Sequence, residues 1–123
     1  MSLGIYNTLK EIILENVNRS QVEDALDKRK RVRIFYRGDE NEVSGYRNIE
    51  PYVLGLSKSD NPILRAWQIN GVTDTESPMW KTFRLDKITN SSPTNDTFES
   101  PRPYFNPKGD KHMSQVFEIA KFD

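Results

Sequence analysis

The sequence predicts a mainly β fold, a small barrel or sandwich of five strands that follows one or two short helices. Three observations support this prediction. Polar and apolar residues alternate with the period of a β-strand in five separate segments after residue 30. Turns rich in Gly, Pro, Asn and Asp separate these segments about every ten to fifteen residues. Apolar residues before residue 30 recur instead with helical spacing.

The first 30 residues form the predicted helical segment. In residues 3–17, Ile5, Leu9 and Ile12 lie on one side of a helix, which must dock on another element to bury that side. Ser20 and Glu23 have the spacing of a capping box, in which each side chain bonds a free backbone N–H of the other residue. This pattern predicts that a second helix begins at Ser20 and runs to residue 28.

The remainder of the chain, residues 31–123, forms the predicted β-structure of a single domain. Its five strands are expected at residues 31–37, 46–57, 63–70, 79–90 and 115–122. Pro51 and Gly55 mark a bend, a bulge or a sheet edge in the second strand. The segment at about 91–114 is rich in Pro, Ser, Thr and Asn, which is typical of irregular chain wrapped on the surface.

The composition excludes several kinds of site. The 18 basic and 18 acidic residues give no net charge, so an anion site must come from local clustering. The chain has no Cys and one His, His112, in a loop where a solvated side chain is expected. No catalytic residue, cofactor or metal site is therefore predicted, although carboxylates could hold a metal. No apolar run reaches the roughly 20 residues that span a bilayer, and no signal peptide is visible, which favours a cytoplasmic protein.

A run of basic residues from Lys28 to Arg37 allows two interpretations. Its six Lys and Arg side chains fall within ten residues that include no acid. They could end a helix, where cations interact favourably with the helix dipole, and continue as the solvated face of a strand. The alternative is that they form an edge that binds anions.

The third and fourth predicted strands carry a second candidate site. If Leu64, Ala66, Phe83 and Leu85 face the core, strand alternation places four other side chains on the opposite face: Arg65, Trp67, Trp80 and Arg84. Arginines and indoles on neighbouring strands would neutralise phosphates and stack bases. The alternative is that the indoles belong to the core, or lie under the docked helices with an Arg covering them.

Four motifs in order resemble the WYL domain family. They are Ile34-x-Tyr36, Arg47-x-Ile49-x-Pro51, Leu64-Arg65-Ala66-Trp67 and Phe83-Arg84-Leu85-Asp86-Lys87-Ile88. The family's usual forms are I-x-Y, R-x-V/I-x-P, Y-L-x-A-Y and F-R-L-D-R-I, so the resemblance covers roughly residues 31–98. The Trp-Tyr-Leu triplet that names the family falls on Pro62, Ile63 and Leu64, and Lys87 replaces the second Arg of the last motif.

The resemblance implies a five-stranded barrel of the Sm type (an SH3-like barrel) and a regulatory role. Family members are mostly parts of bacterial transcription factors that sense ligands, often nucleic acids or nucleotides, through basic and aromatic residues. Some are accessory proteins of CRISPR effectors, and related domains occur in phages. Matching the motifs implies a ligand patch of Tyr36, Arg47, Arg65, Arg84 and Lys87, to which the alternation argument adds Trp67 and Trp80.

These arguments predict a non-enzymatic regulatory or accessory module that recognises single-stranded nucleic acid or a nucleotide-like anion. About 30 residues precede the first strand, which is too few for a winged helix-turn-helix domain, so we expect an accessory protein of a bacterial cell or a phage-infected host. The alternative is a protein-interaction or homodimerisation module that modulates a partner regulator. An enzyme with a carboxylate-held metal is the third interpretation, and chelator-sensitive turnover would support it.

Overall fold

One helix and a six-stranded antiparallel sheet make up the part of the chain that the structure describes. A computed structural model describes residues 18–39, 42–73 and 79–122. Helix α1 includes residues 18–28. The strands are β1 (Lys30–Tyr36), β2 (Gly45–Ser57), β3 (Pro62–Gly71), β4 (Met79–Arg84), β5 (Ile88–Thr97) and β6 (Met113–Ile119), and a single 3₁₀ turn, Leu85–Lys87, joins β4 to β5. The fold is therefore mainly β, as predicted.

The sheet has the strand order β4-β3-β2-β1-β5, and β6 also pairs with β2. Strand β2 is long enough to pair with three other strands. Its first half pairs with β1 and its second half with β6, while β3 pairs along its other edge. The end strands β4 and β5 are connected through the 3₁₀ turn but are not paired with each other among the described residues, so the sheet is open. The predicted Sm-like barrel remains a prediction.

Strand β2 bends at the position that its sequence marks. The pairing with β3 shifts register between Pro51 and Val53, so that Tyr52 lies in the irregularity. Gly55, further along the strand, lies against β6, where a Cβ atom would overlap the carbonyl oxygen of Gln115. The bend and this close backbone approach allow β6 to take the edge that β1 leaves free.

One face of the sheet, the inner face, carries most of the hydrophobic core. Strand alternation places its side chains as the sequence predicts, and all are buried: Val32, Ile34, Tyr36, Ile49, Leu64, Ala66 and Phe83. Helix α1 adds Val22, Ala25 and Leu26 to the same cluster. Asn18 fixes the helix to β5, because its side-chain amide donates to the carbonyl of Ile88 at 2.6 Å. Burial of these apolar side chains is the main stabilising term of the domain.

Two predicted boundaries were wrong. Residues 18 and 19 are already helical, so Ser20 lies inside α1 and does not cap it; the helix predicted at 3–17 lies outside the described residues. The strand predicted at 79–90 ends at Arg84, and residues 91–97 continue β5 where irregular chain was expected. The polar side chains of β5 do not show the alternation that predicts a strand. The strand forms because its pairing satisfies the backbone groups on the free edge of β1.

Candidate ligand-binding face

The opposite face of the sheet, the outer face, holds the two arginines and two indoles that alternation predicted. In the pairing of β3 with β4, Arg65 lies opposite Thr82 and Trp67 opposite Trp80. Arg84 lies two residues beyond Thr82, opposite Ile63. Directly opposed residues of antiparallel strands share a face, so all four predicted side chains project to the same side. The Arg65 Nη1 donates to Thr82 Oγ1 at 3.1 Å, which ties the two strands together across that face.

A segment after β5 covers the indoles. This roof segment, residues 98–112, runs over the outer face, and the Nε1 of Trp80 donates to the carbonyl of Pro103 at 2.7 Å. Trp80 packs edge-on against Tyr52 at 4.7 Å between ring centroids and against Trp67 at 5.6 Å. Both indoles are half-buried. The alternative that the indoles are covered is thus correct in part: among the described residues, the roof segment lies over them, whereas α1 packs in the core cluster.

Guanidinium groups complete that cover. The Arg65 guanidinium lies 5.6 Å from the centroid of Trp80, and that of Arg102 lies 5.3 Å from the centroid of Trp67. Arg65 also pairs with Asp110 of the roof segment, with 3.4 Å between Nε and Oδ2. Cation–π contacts of this kind stabilise both partners and leave the charged end near solvent. The outer face therefore has a basic rather than an apolar exterior above its indoles.

A buried carboxylate anchors the roof segment. Glu50 is 1% exposed and lies opposite Trp67 in the sheet. Its carboxylate accepts from Arg31 Nε at 3.0 Å, from Arg102 Nε at 2.8 Å and from the Tyr52 hydroxyl at 3.3 Å. The same hydroxyl accepts the backbone N–H of Arg102 at 3.0 Å. Two cations and a phenol thus compensate a charge that would be costly to bury alone.

This anchor shifts two proton equilibria. Burial, opposed in part by the hydrogen bond from the Arg102 backbone and reinforced by the nearby Glu50 charge, raises the pKa of Tyr52 far above its ordinary value of 10.0. The hydrogen bond to the Glu50 carboxylate raises the pKa of Arg102. Both shifts keep the protons where the network needs them, on the phenol and on the guanidinium.

Arg84 is more exposed than Arg65, the other arginine of the outer face. Its side chain is 43% exposed and forms a bidentate pair with Asp86, with Nε to Oδ1 at 2.9 Å and Nη2 to Oδ2 at 2.6 Å. Its Nη2 also lies 3.4 Å from the amide oxygen of Asn61. The Asp86 hydrogen bonds raise the pKa of Arg84, so this guanidinium stays charged.

Lys87 lies in a separate group at the end of the 3₁₀ turn. Its ammonium contacts Asp39 at 3.1 Å and also Glu42, so two carboxylates from the β1–β2 connection surround it. The Glu42 hydrogen bond is the main cause that raises the pKa of Lys87. Its charge is therefore compensated locally by these two carboxylates.

Tyr36 and Arg47 lie on the inner face and are buried, at 1% and 4% exposure. The Arg47 guanidinium lies 5.0 Å from the centroid of the Tyr36 ring and donates to Gln68 and to the carbonyl of Val43. The Tyr36 hydroxyl accepts the backbone N–H of Arg84 at 3.2 Å. These two residues therefore contact β3 and β4 from the inner face and do not reach the outer face.

The seven predicted site residues thus do not form one surface. Four of them lie on the outer face: Arg65, Trp67, Trp80 and Arg84. Lys87 is ion-paired with two carboxylates elsewhere, and Tyr36 and Arg47 are buried. That any of them binds a ligand stays a prediction. The sequence analysis missed Glu50, Arg102 and Tyr104, because a carboxylate in a strand and two residues of an irregular segment carry no local sign of their partners.

The basic run before and within β1 is distributed among several partners. Lys28 pairs with Asp24 within α1, and Arg29 reaches Glu99 and the carbonyl of Lys121. Arg31 joins Glu50 to Asp96, with 3.0 Å to each. Arg33 covers the Tyr46 ring at 4.2 Å. Most of this run therefore serves contacts inside the domain, which favours the structural interpretation of the pattern.

A cavity of about 280 Å³ opens between the outer face and the roof segment. Arg65 and Trp80 form its floor, and Tyr104, Phe105, Lys111 and His112 are among the roof residues that line it. No group of His, Cys, Asp or Glu among the described residues is arranged to hold a metal ion. Within the same residues, no helix has the length and apolar character needed to cross a bilayer.

Comparison with known proteins decides the family. A model of the WYL domain family matches residues 18–93, from the start of described α1 to the middle of β5. The chain belongs to the WYL domain family. The match confirms the resemblance and ends before the roof segment, so the cover of the outer face lies outside the matched residues.

Among solved structures, the WYL domain is similar to the proteasome accessory factor B/C (PafBC) of Arthrobacter aurescens. The two share 22% sequence identity with a TM-score of 0.58, and the match covers 74% of this chain and 13% of that chain. This likeness concerns the fold, and the chain corresponds to a small fraction of the length of PafBC. A search of curated proteins finds no match.

Proposed function

We propose that this WYL domain is a non-enzymatic regulatory or accessory module that binds single-stranded nucleic acid or a nucleotide-like anion on its outer face. The observation that carries the proposal is the shared orientation of Arg65, Trp67, Trp80 and Arg84 on paired strands. Membership of the WYL domain family and the likeness to a protein titled an accessory factor fit a regulatory binding module. We place the module in the cytoplasm, where nucleic-acid ligands are available.

The ion pairs of the outer face leave it able to accept another anion. The Arg84 and Asp86 side chains are 43% and 46% exposed, and exposed pairs of this kind contribute only about 0–1 kcal/mol. A phosphodiester offers the guanidinium two non-bridging acceptor oxygens, a terminal phosphate offers three, and both allow the same bidentate geometry. A phosphate can therefore replace Asp86 as the partner of Arg84 at small cost, whereas the buried Glu50 would not release Arg102 so easily.

The composition of the chain is our reason for proposing a binding role rather than an enzyme. The chain has no Cys, and its one His lies in the exposed end of the roof segment. Nucleophilic and general acid–base sites need a nucleophile beside a suitable base, and turnover by the protein would contradict this part of the proposal.

A protein-interaction role is the second candidate, and one observation favours it. Four large apolar side chains are about 36–47% exposed near one end of the sheet: Val43, Tyr46, Val72 and Met79. The Val72 N–H donates to the carbonyl of Tyr46, which places these two residues side by side. Exposed apolar patches often mark interfaces. Size-exclusion chromatography with light scattering, with and without oligonucleotide, separates a homodimer from a monomer that binds nucleic acid.

Fluorescence anisotropy of a labelled oligothymidylate tests the proposed function. We expect binding that weakens as salt increases, because phosphate contacts release counterions. Arg84→Ala should weaken binding about three- to tenfold. It should also make the plot of log binding constant against log salt concentration less steep, by about 0.7 for each phosphate contact that is lost on a single strand. Arg65→Ala should act in the same direction.

Arg19 provides the matched control for Arg84. It lies on α1, its side chain is 39% exposed, and it also pairs with a carboxylate, that of Glu23. Arg19→Ala removes the same charge from another part of the domain and should change binding less than twofold. Equal effects of Arg19→Ala and Arg84→Ala would show that net charge, not the outer face, drives binding.

A further inference from the structure

The cavity under the roof segment has two walls of different origin. Arg65 and Trp80 come from the paired strands β3 and β4, whereas residues 104–106 and 109–112 come from the roof segment. The family match ends at residue 93, so the second wall lies outside the matched region. Its volume of about 280 Å³ is just below the roughly 300–1,000 Å³ typical of sites for drug-sized ligands. The cavity therefore fits a ligand of the size of one nucleotide and not a longer segment.

Tyr104 lines this cavity and combines a highly exposed side chain with a left-handed backbone conformation. Its residue is 96% exposed, and its backbone has a φ of 69°, in the left-handed region that a non-glycine residue rarely adopts. Its neighbours fix this conformation, since Trp80 donates to the Pro103 carbonyl and the Phe105 N–H donates to the carbonyl of Arg102. A strained backbone that presents a large aromatic ring to solvent gives the fold no packing in return. A ring held in this way is available to stack on a planar ligand.

The charges of the cavity favour an anion. The charged side chains that line it are Arg65 and Lys111, together with one carboxylate, that of Asp110. This carboxylate is already engaged, because its Oδ2 lies 3.4 Å from Arg65 Nε and its Oδ1 accepts the backbone N–H of His112 at 2.8 Å. Lys111 is exposed at the rim. The lining thus offers more positive than negative charge to an incoming group.

We propose that this cavity binds one nucleotide unit, with the base stacked on Tyr104 and the phosphate beside Lys111 and Arg65. The inference rests on the proposed function and specifies where a phosphorylated end is recognised. The same chemistry has two sources, a free mononucleotide and the 5′-phosphorylated end of a single strand. Both present a planar base and a terminal phosphate that carries more negative charge than the internal phosphates of a strand.

Calorimetry with the full chain tests the site with thymidine monophosphate and thymidine as probes. We expect the monophosphate to bind at least tenfold more tightly than the nucleoside, because the phosphate contacts are lost in the latter. Tyr104→Ala should weaken binding at least fivefold, the lower end of base–aromatic stacking, and Tyr104→Phe should retain it. Lys111→Ala should weaken binding about tenfold.

Lys108 is the matched control for Lys111. It is an exposed Lys of the same roof segment but does not line the cavity. Lys108→Ala should leave binding within twofold, and circular dichroism should show that all variants keep the fold. Equal weakening by Lys108→Ala and Lys111→Ala would overturn the proposal, as would unchanged binding after Tyr104→Ala.

A second measurement identifies the source of the nucleotide. Anisotropy compares oligothymidylates of equal length with a 5′-phosphate or a 5′-hydroxyl. A 5′-phosphate preference that Tyr104→Ala removes supports the strand end, and binding of the monophosphate without such a preference supports the free nucleotide. Absence of both overturns the inference.

The same data separate this inference from the proposed function. Arg84 lies on the outer face but outside the cavity. Strand binding that depends on Arg84 but not on Tyr104 or Lys111 would leave the proposed function standing and remove the cavity as its site. Monophosphate binding that depends on Tyr104, without any strand binding, would keep the cavity as a site for a free nucleotide and remove single-stranded nucleic acid from the proposed function.

Discussion

Replacement of Glu50 by Gln tests the central structural feature of the outer face, the buried carboxylate that holds the roof segment. The substitution keeps the size of the side chain and removes its charge. Glu50 accepts three hydrogen bonds from the guanidinium groups of Arg31 and Arg102, at 3.0, 2.8 and 3.2 Å, and one from Tyr52. A Gln keeps one acceptor oxygen and presents an amide donor to two cations.

The size of the effect follows from burial. Each charge-assisted hydrogen bond contributes about 1.5–3 kcal/mol, and breaking a fully buried ion pair costs about 3–5 kcal/mol. The side chains of Arg31 and Arg102 are 30% and 38% exposed, so water can solvate part of the charge that Gln leaves unpaired. We therefore expect Glu50→Gln to lower the free energy of unfolding by about 2–4 kcal/mol, a large share of the stability of a typical domain.

Asp96→Asn is the matched control, because Asp96 contacts the same Arg31 at 3.0 Å but is 68% exposed. Its loss should cost no more than about 0.5 kcal/mol. Urea unfolding followed by Trp fluorescence gives both values, and the indoles report directly on the roof segment through the contact of Trp67 with Arg102. Glu50→Gln should also expose the roof segment to trypsin. Equal costs for the two substitutions would refute the assignment of Glu50 as the anchor.

Three further predictions concern stability. The pKa of Tyr52 is higher in the folded state than in the unfolded state, so its protonated hydroxyl stabilises the fold fully below about pH 10, and this stabilisation is lost as the pH rises further. The free energy of unfolding should therefore fall between pH 10 and 11, and Tyr52→Phe should make this fall shallower by up to about 1.4 kcal/mol per pH unit. Gly55→Ala should destabilise the domain by about 1–3 kcal/mol, since its Cβ would overlap Gln115, and a thermal melt unchanged from the parent would contradict this. Tyr104→Gly should stabilise the domain by about 0–1 kcal/mol, because glycine adopts the left-handed conformation without strain while making the unfolded chain more flexible; a clear loss of stability in urea would show that the ring packs.

Alternation predicted the two faces of the sheet correctly because it is a local property. Leu64, Ala66 and Phe83 are buried, and Arg65 and Arg84 project to the other side, as strand periodicity requires; Leu85 is buried too, although it lies in the 3₁₀ turn. The bend in β2 was equally visible, because Pro51 limits the backbone and pairing that a strand can adopt. Family motifs carried the same information, since most of them lie in these strands.

Patterns that depend on distant partners were not predictable in the same way. Residues 91–97 have a loop-like composition, yet they form a strand because β1, some sixty residues earlier, offers an unpaired edge. Tyr36 and Arg47 match family motifs, but only the packing of the inner face shows that both are buried.

The sequence by itself determined the mainly β fold, the bend of β2 and which side chains share the outer face, because backbone geometry sets these from residue to residue. Only the tertiary structure decided that a C-terminal segment roofs the indoles, that Glu50 is buried between Arg31 and Arg102, and that a cavity opens beside Tyr104. Those features join residues about twenty to fifty positions apart, and their energies come from desolvation and charge pairing, which no local pattern records.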